Sequence, residues 1–286
     1  LVIAVVLVLA AVGLLFYFLW PKKETPVPPA PVVKTGPVQT VIGKSVEGRN
    51  IDAYTYGQGT RNILFVGGIH GGYEWNSVVL AYQFKDYLDA NPTAIPEGMS
   101  VTVIPALNVD GVFKVVGKEG KFTAADVTQT KEESAPGRFN ARGVDLNRNF
   151  DCKWKPTSMW QNKTVSAGTA AFSEPETAAF RDLILKTKPE SVVFWHSQAG
   201  AVYGSKCETA LATSTQKILG TYAAAGGYPA VPTFDAYEVS GAADDWLASI
   251  GIPAITVELK THETIEWEQN LAGSLSVIQH VHSLAK

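Results

Sequence analysis

Apolar positions along the chain change their spacing at two points. Residues 1–20 form an unbroken apolar run with no charged side chain, Tyr17 being its one clearly polar member. As a helix such a run is about 30 Å long, the thickness of a bilayer's hydrocarbon core. A cleavable signal peptide is the competing reading, but it carries an apolar region of about 7–15 residues and a small-x-small cleavage site. This run is longer and no such site follows, so the pattern predicts a transmembrane anchor. Its bulky end, Phe16-Tyr17-Phe18-Leu19-Trp20, suits an interfacial aromatic belt. Residues 21–37 are rich in Pro, Val and Lys and read as an extended, semi-rigid linker.

From residue 38 the pattern becomes one of short strands alternating with helices. Residues 39–46 and 50–56 predict a hairpin around Glu47-Gly48-Arg49. Residues 62–66, 100–106, 191–195 and 254–259 are continuous apolar runs of the buried-strand type. Helical spacing covers residues 76–88, 207–225 and 243–249 and resumes from about residue 265. Ser173-Glu174-Pro175-Glu176 reads as a capping box opening a helix to about residue 186. The expected fold is α/β: a mixed, mostly buried β-sheet flanked by helices on both faces, preceded by the transmembrane helix. The expected domains are residues 1–20 (anchor), 21–37 (linker) and 38–286 (the α/β body).

Composition narrows the function classes. The 286 residues carry 24 Lys+Arg against 27 Asp+Glu, a net charge of −3, which gives no electrostatic footprint for nucleic acid. The hydrophobic fraction of 46% argues against whole-chain disorder. Two cysteines exclude a disulfide scaffold and an all-cysteine zinc site.

The chemistry sits where strands end, which is where α/β sheets bind ligands. Val66-Gly67-Gly68-Ile69-His70 leads to Glu74, Phe194-Trp195 leads to His196, and Thr256-Val257 leads to Glu258. Two His and two Glu on such ends suit a catalytic zinc site, with three protein ligands, an open position for water, and a carboxylate to take the water's proton. A lone His at a strand end is commonly structural, but a Glu inside the apolar stretch Ile255–Leu259 is costly unless partnered. His262, His280 and His282 carry no such signal, the last two reading as surface or packing residues.

Together these segments resemble the zinc carboxypeptidase family, the M14 metallopeptidases, over most of residues 38–286. Gly143-Val144-Asp145-Leu146-Asn147-Arg148-Asn149-Phe150 looks like the family's Asn-Arg motif. Also similar are Pro105-Ala106-Leu107-Asn108-Val109-Asp110-Gly111, Ser173-Glu174-Pro175-Glu176-Thr177, His196-Ser197 and Thr256-Val257-Glu258-Leu259. The resemblance implies one Zn2+ per chain held by His70, Glu74 and His196. It implies Glu258 as general base and then acid, and Arg138 at the scissile carbonyl. Asn147 and Arg148 would clamp a free C-terminal carboxylate, which suits the planar guanidinium fork. Asp145 would orient a ligand His. Tyr237-Glu238-Val239-Ser240-Gly241-Ala242-Ala243-Asp244-Asp245-Trp246 looks like the family's substrate-capping loop, with Tyr237 as the cap. Asp244 falls where the terminal side chain is read, and its charge points to Lys, Arg or the amine of diaminopimelate.

One departure stands out. The family's usual metal motif is His-x-x-Glu, whereas three residues separate His70 from Glu74. Gly71-Gly72 disfavours a helix there, so the expectation is that the Gly pair absorbs the extra residue and Glu74 still reaches the metal. If the domain lies outside the cytoplasm, Cys152 and Cys207, both expected at the site rim, pair in a disulfide; Lys22 and Lys23 beside the anchor argue for the opposite sidedness.

The expected protein is therefore a membrane-anchored, extracytoplasmic zinc metallocarboxypeptidase. Its partners would be a peptide or murein peptide with a free C-terminus and the membrane, not nucleic acid. The alternatives on the same scaffold are a γ-D-glutamyl-diaminopimelate murein peptidase or an N-acyl amino acid deacylase. A non-catalytic peptide- or wall-binding pseudoenzyme is the alternative from another class.

Overall fold

The computed structural model describes residues 36–284. The predicted anchor and nearly all of the linker lie outside these residues; within them, no helix is long and apolar enough to cross a membrane.

The body is built on an eight-stranded mixed sheet. Its strands are β1 (Val38–Lys44), β2 (Asn50–Tyr56), β3 (Arg61–Val66), β4 (Met99–Ile104), β7 (Ser191–Ser197), β8 (Ala201–Gly204), β9 (Ala230–Val231) and β10 (Ala254–Leu259), in the order β1-β2-β4-β3-β7-β10-β8-β9. The centre, β4-β3-β7-β10, is parallel, while β1-β2, β2-β4 and β10-β8 are antiparallel. A separate hairpin, β5 (Thr157–Trp160) with β6 (Lys163–Ser166), lies outside the sheet pairing.

The central strands are apolar on both faces because helices cover both. On one face Phe65, Val193, Trp195 and Val257 pack with Leu80 and Phe84 of α1 (Trp75–Ala90). Tyr222 of α4 (Thr213–Gly226) and Val277 of α6 (Trp267–Ser283) complete that layer. On the other face Leu64, Val66, Val192 and Phe194 pack with Phe150, with Phe180 of α3 (Pro175–Thr187) and with Trp246 of α5 (Ala243–Ser249). Alternate residues of one strand thus enter opposite cores, the period-two rule of a pleated strand.

Several predicted boundaries move. The hairpin, β3, β4, β7, α1, α5 and β10 fall where the apolar spacing placed them, within a few residues. The helix expected over residues 207–225 begins only at Thr213, because the preceding segment is a loop held at Cys207 by a disulfide. The β5–β6 hairpin, β8, β9 and the short helix α2 (Val109–Val116) were not predicted. The capping box at Ser173 does not form. Glu174 is the N-cap of α3 and makes no side-chain cap bond. The buried Asn149 replaces it: its Oδ1 accepts from Glu174 N (3.2 Å) and Thr177 Oγ1 (2.6 Å). That ties the start of α3 to the Asn-Arg segment.

Candidate active site

Each strand-end residue singled out in the sequence opens on one cavity of about 710 Å³. His70 follows β3, His196 ends β7, and Glu258 lies in β10 directly opposite His196 in the parallel register. Glu74 closes a single 3-10 turn, Gly71–Glu74. This turn is how the chain accommodates the extra residue. Gly71 takes φ +48°, and a Cβ there would lie 2.4 Å from Gly137 O; one on Gly72 would lie 2.5 Å from Val115 Cβ. Only glycines allow the turn to press this closely against its neighbours.

His70, Glu74 and His196 offer ligand atoms that all lie within 4.8 Å of one another, and each residue is no more than 3% exposed. The donor set, two imidazoles and a carboxylate, is one zinc accepts. Among the described residues His70 Nδ1 is buried without a hydrogen-bond partner, 3.5 Å from Asp145 Oδ1. Burial, reinforced by Arg138, pushes the His70 pKa well below the ordinary histidine value, and a metal ligand must be neutral. Burial also opposes charge on His196, but Glu74, with Oε2 3.1 Å from His196 Nδ1, outweighs it and raises that pKa. Glu74 Oε2 further accepts from Ser197 N (3.2 Å). The residues therefore fit a zinc ion.

Asp145 organises the wall beside this cluster. Its Oδ2 accepts from Arg138 Nε (2.9 Å) and its Oδ1 from Asn147 N (3.1 Å), so one buried carboxylate fixes both a cavity arginine and the turn carrying the Asn-Arg pair. Arg138 also lies 3.7 Å from Glu74 Oε1, with its guanidinium 4.6 Å over the Trp160 ring. Asn108 Nδ2 donates to Arg138 O (3.0 Å), which gives the Pro105–Gly111 segment a structural part.

The pair itself is preset. Asn147 Oδ1 accepts from Ala243 N (2.9 Å), so its NH2 group is the free end of the amide. Arg148 donates through Nε and Nη2 to Met159 O (3.0 and 2.9 Å) and through Nη1 to Asn147 O (2.6 Å). Three of its five N–H donors are thereby used, and the buried guanidinium lines the cavity. Gly241 lets the capping loop dock here, since a Cβ on it would stand 2.1 Å from Arg148 O.

Burial pushes the Glu258 carboxyl up to about 7, His196 working against the shift and Glu74 with it. Asp244 and Asp245, in the first turn of α5, also line the cavity. Asp244 Oδ2 accepts from Thr256 Oγ1 (3.1 Å), and burial raises its pKa. Asp245 is pushed up to about 7 by burial and by Asp244. Tyr237 lines the same cavity with its ring against Phe234, centroids 4.9 Å apart. Cys152 and Cys207 are joined in a disulfide at this cavity.

Among the lining residues missed in the sequence are two aromatics and a histidine. Tyr73 and Trp160 form an edge-to-face pair (5.1 Å), and nothing in their local sequence set them apart from core aromatics. His262, read as carrying no signal, is buried in the site. Its Nδ1 is 3.2 Å from Ser197 Oγ and its ring centroid 4.6 Å from that of Tyr73. Ser197 Oγ also lies 2.9 Å from Asn76 Oδ1, and Asn76 Nδ2 donates to Thr261 O and Thr264 O (2.7 and 2.8 Å), holding the turn that bears His262.

The chain is similar to known proteins in sequence and in fold. The profile of the family described as zinc carboxypeptidase matches residues 38–272. The gamma-D-glutamyl-L-diamino acid endopeptidase 1 of Lysinibacillus sphaericus is 26% identical over 243 residues, 77% of this chain; the chain spans 60% of that relative's length. Bovine thrombin-activatable fibrinolysis inhibitor, solved with tick carboxypeptidase inhibitor, has a similar fold: TM-score 0.70 and 18% identity, covering 87% of this chain and 91% of that one. The murein-tripeptide amidase MpaA from Escherichia coli O157 is also similar in fold: TM-score 0.61 and 22% identity, covering 89% and 96%.

Proposed function

The chain belongs to the zinc carboxypeptidase family, and from that premise we propose that it hydrolyses the amide bond preceding a C-terminal residue with a free carboxylate. What carries this reading is the meeting, in one cavity, of a three-ligand metal cluster, a carboxyl group beside it, and an Asn-Arg pair with donors to spare.

On this reading the residues take the following roles. His70, Glu74 and His196 would hold zinc, which when bound supplies a Lewis acid that lowers the pKa of water and polarises a carbonyl. Glu258, opposite His196 in the sheet, takes the proton of the attacking water and returns it to the leaving amine. Arg138 has its Nε committed to Asp145 and meets the charge developing on the carbonyl oxygen with its remaining donors. The free NH2 of Asn147 and the guanidinium of Arg148 bind the substrate's terminal carboxylate, which restricts cleavage to chain ends. Tyr237 covers the bound residue.

A peptide-library digest with free and amidated C-termini, with and without chelator, tests this. The expected outcome is release of single C-terminal residues from the free set only, abolished by chelator. Equal cleavage of amidated peptides would remove the carboxylate clamp. Turnover insensitive to chelator would remove the metal.

A second reading keeps the chemistry and changes the bond to one between γ-D-glutamate and a diamino acid in murein peptides. It is favoured by Asp244 and Asp245 in the cavity, which suit an amine-bearing residue, and by the relative named for that linkage. Placement outside the cytoplasm is part of the proposal, supported by the Cys152–Cys207 disulfide; protease accessibility in intact cells and spheroplasts tests it.

A further inference from the structure

Two consecutive residues of the β5–β6 hairpin reach both cavity arginines. Met159 offers its carbonyl to Arg148 Nε and Nη2, and Trp160 lays its ring against Arg138, with Cζ 4.6 Å from the ring centroid. The hairpin is fixed for this task. Its strands pair from Thr157 with Ser166 to Trp160 with Lys163, and Asp145 N donates to Ser166 O (3.0 Å), which ties it to the Asn-Arg segment. Trp160 is buried between two further aromatics. It meets Tyr73 and Phe139 edge to face, with centroids 5.1 and 5.9 Å away. Packing therefore sets the plane of the ring that Arg138 lies on.

Arg138 has two buried carboxylates within reach. Its Nε donates to Asp145 Oδ2 at 2.9 Å, whereas its Nη1 stands 3.7 Å from Glu74 Oε1, beyond hydrogen-bonding distance. One bond at Nε leaves the fork free to tip about it. Tipped toward Glu74, the guanidinium would gain a charge-assisted hydrogen bond. It would also leave the substrate carbonyl and occupy a carboxylate that the metal needs.

We infer that Trp160 is a positioning residue: its ring holds the Arg138 guanidinium off Glu74 and keeps its free donors for the substrate carbonyl. The inference rests on Arg138 acting at the scissile bond. A guanidinium gains from lying on an aromatic face, and the gain is largest where both are removed from water, as here. An aliphatic side chain of similar bulk fills the space without offering that face. The role is therefore separable from packing.

The test is a double-mutant cycle of Trp160→Leu with Arg138→Gln, read by turnover and by zinc affinity in a chelator competition. With Arg138 present, Trp160→Leu should lower kcat about tenfold with little change in KM, the mark of an interaction made in the transition state. It should also weaken zinc binding by about threefold or more, because Glu74 now has a competing partner. In the Arg138→Gln background the same substitution should cost nothing further in either measurement. Trp160→Phe, which keeps an aromatic face, should retain most of both. Equal losses in the two backgrounds, or a Phe protein no better than the Leu protein, would reduce Trp160 to a packing residue and overturn the assignment. Trp160→Met, also without an aromatic face, carries the same comparison should the Leu protein not fold. The two layers separate cleanly. If no protein turns over, wild type included, but the zinc measurements are coupled, the peptidase reading fails and the positioning role stands. If wild type turns over and the losses are additive, the reverse holds.

Discussion

Glu258 stands opposite His196 in the parallel pairing of β10 with β7, so the proposed proton carrier and a proposed metal ligand are held together by the sheet itself. Sites on strands hold their geometry better than sites on loops. The two functions should therefore separate cleanly on mutation. Glu258→Gln keeps size and shape and should lower kcat by about 10²–10⁴-fold, the usual range for a general acid–base group. It should leave zinc stoichiometry unchanged by elemental analysis. Near-normal turnover in this variant would refute the base assignment.

The Gly71–Glu74 turn makes a second pair of predictions. Glu74→Ala should weaken zinc binding by at least about tenfold in a chelator competition, and an unchanged affinity would take Glu74 out of the ligand set. Gly71→Ala introduces a methyl group 2.4 Å from a backbone oxygen at positive φ. It should destabilise the fold by about 1–3 kcal/mol, read by denaturant melts, and weaken zinc binding because the turn also places Glu74. A Gly71→Ala protein as stable as wild type, with zinc affinity intact, would mean that the turn can relax away from Gly137.

His262 should act by positioning. Its ring lies against Tyr73, the neighbour of Glu74, and its Nδ1 meets the hydroxyl of Ser197, whose amide holds the Glu74 carboxylate. Removing it should let Glu74 wander. His262→Ala is expected to weaken zinc affinity about tenfold, within the 10–100-fold range for groups that support metal ligands, with part regained in His262→Asn. A merely structural role would change the melting temperature while leaving the zinc affinity of the folded protein alone.

His262 also shows where sequence reading stops. The apolar strands were legible because burial on both faces leaves a continuous run, and Glu258 was legible because a carboxylate in such a run needs a reason. His262 sits on a polar turn, and its burial comes from Tyr73, Asn76 and Ser197, far away in the chain. The β5–β6 hairpin was invisible for a related reason: its outward positions are polar, and it is recognisable mainly through Trp160 packing on Tyr73 and Arg138. The Ser173–Thr177 segment was correctly singled out but misread locally, because the side chain that serves the start of α3 comes from Asn149.

Asp245 gives a pH prediction with a definite sign. Burial first, and then the charge of Asp244, pushes its carboxyl in the folded metal-free protein up to about 7, well above the ordinary aspartate value. The folded state therefore binds more protons at this site than the unfolded state between about pH 4 and 7. Stability contributed by the protonated carboxyl is present at low pH and lost as pH rises through that window. Asp245→Asn removes the ionisation and keeps an oxygen to accept from Lys206 N, the bond made now at 2.9 Å. In thermal melts with chelator, the Asn variant should be more stable than wild type at pH 8, and the gap should close toward pH 4. A gap of the opposite sign at pH 8, or one independent of pH, would mean that Lys153 and Lys206 already neutralise Asp245 fully.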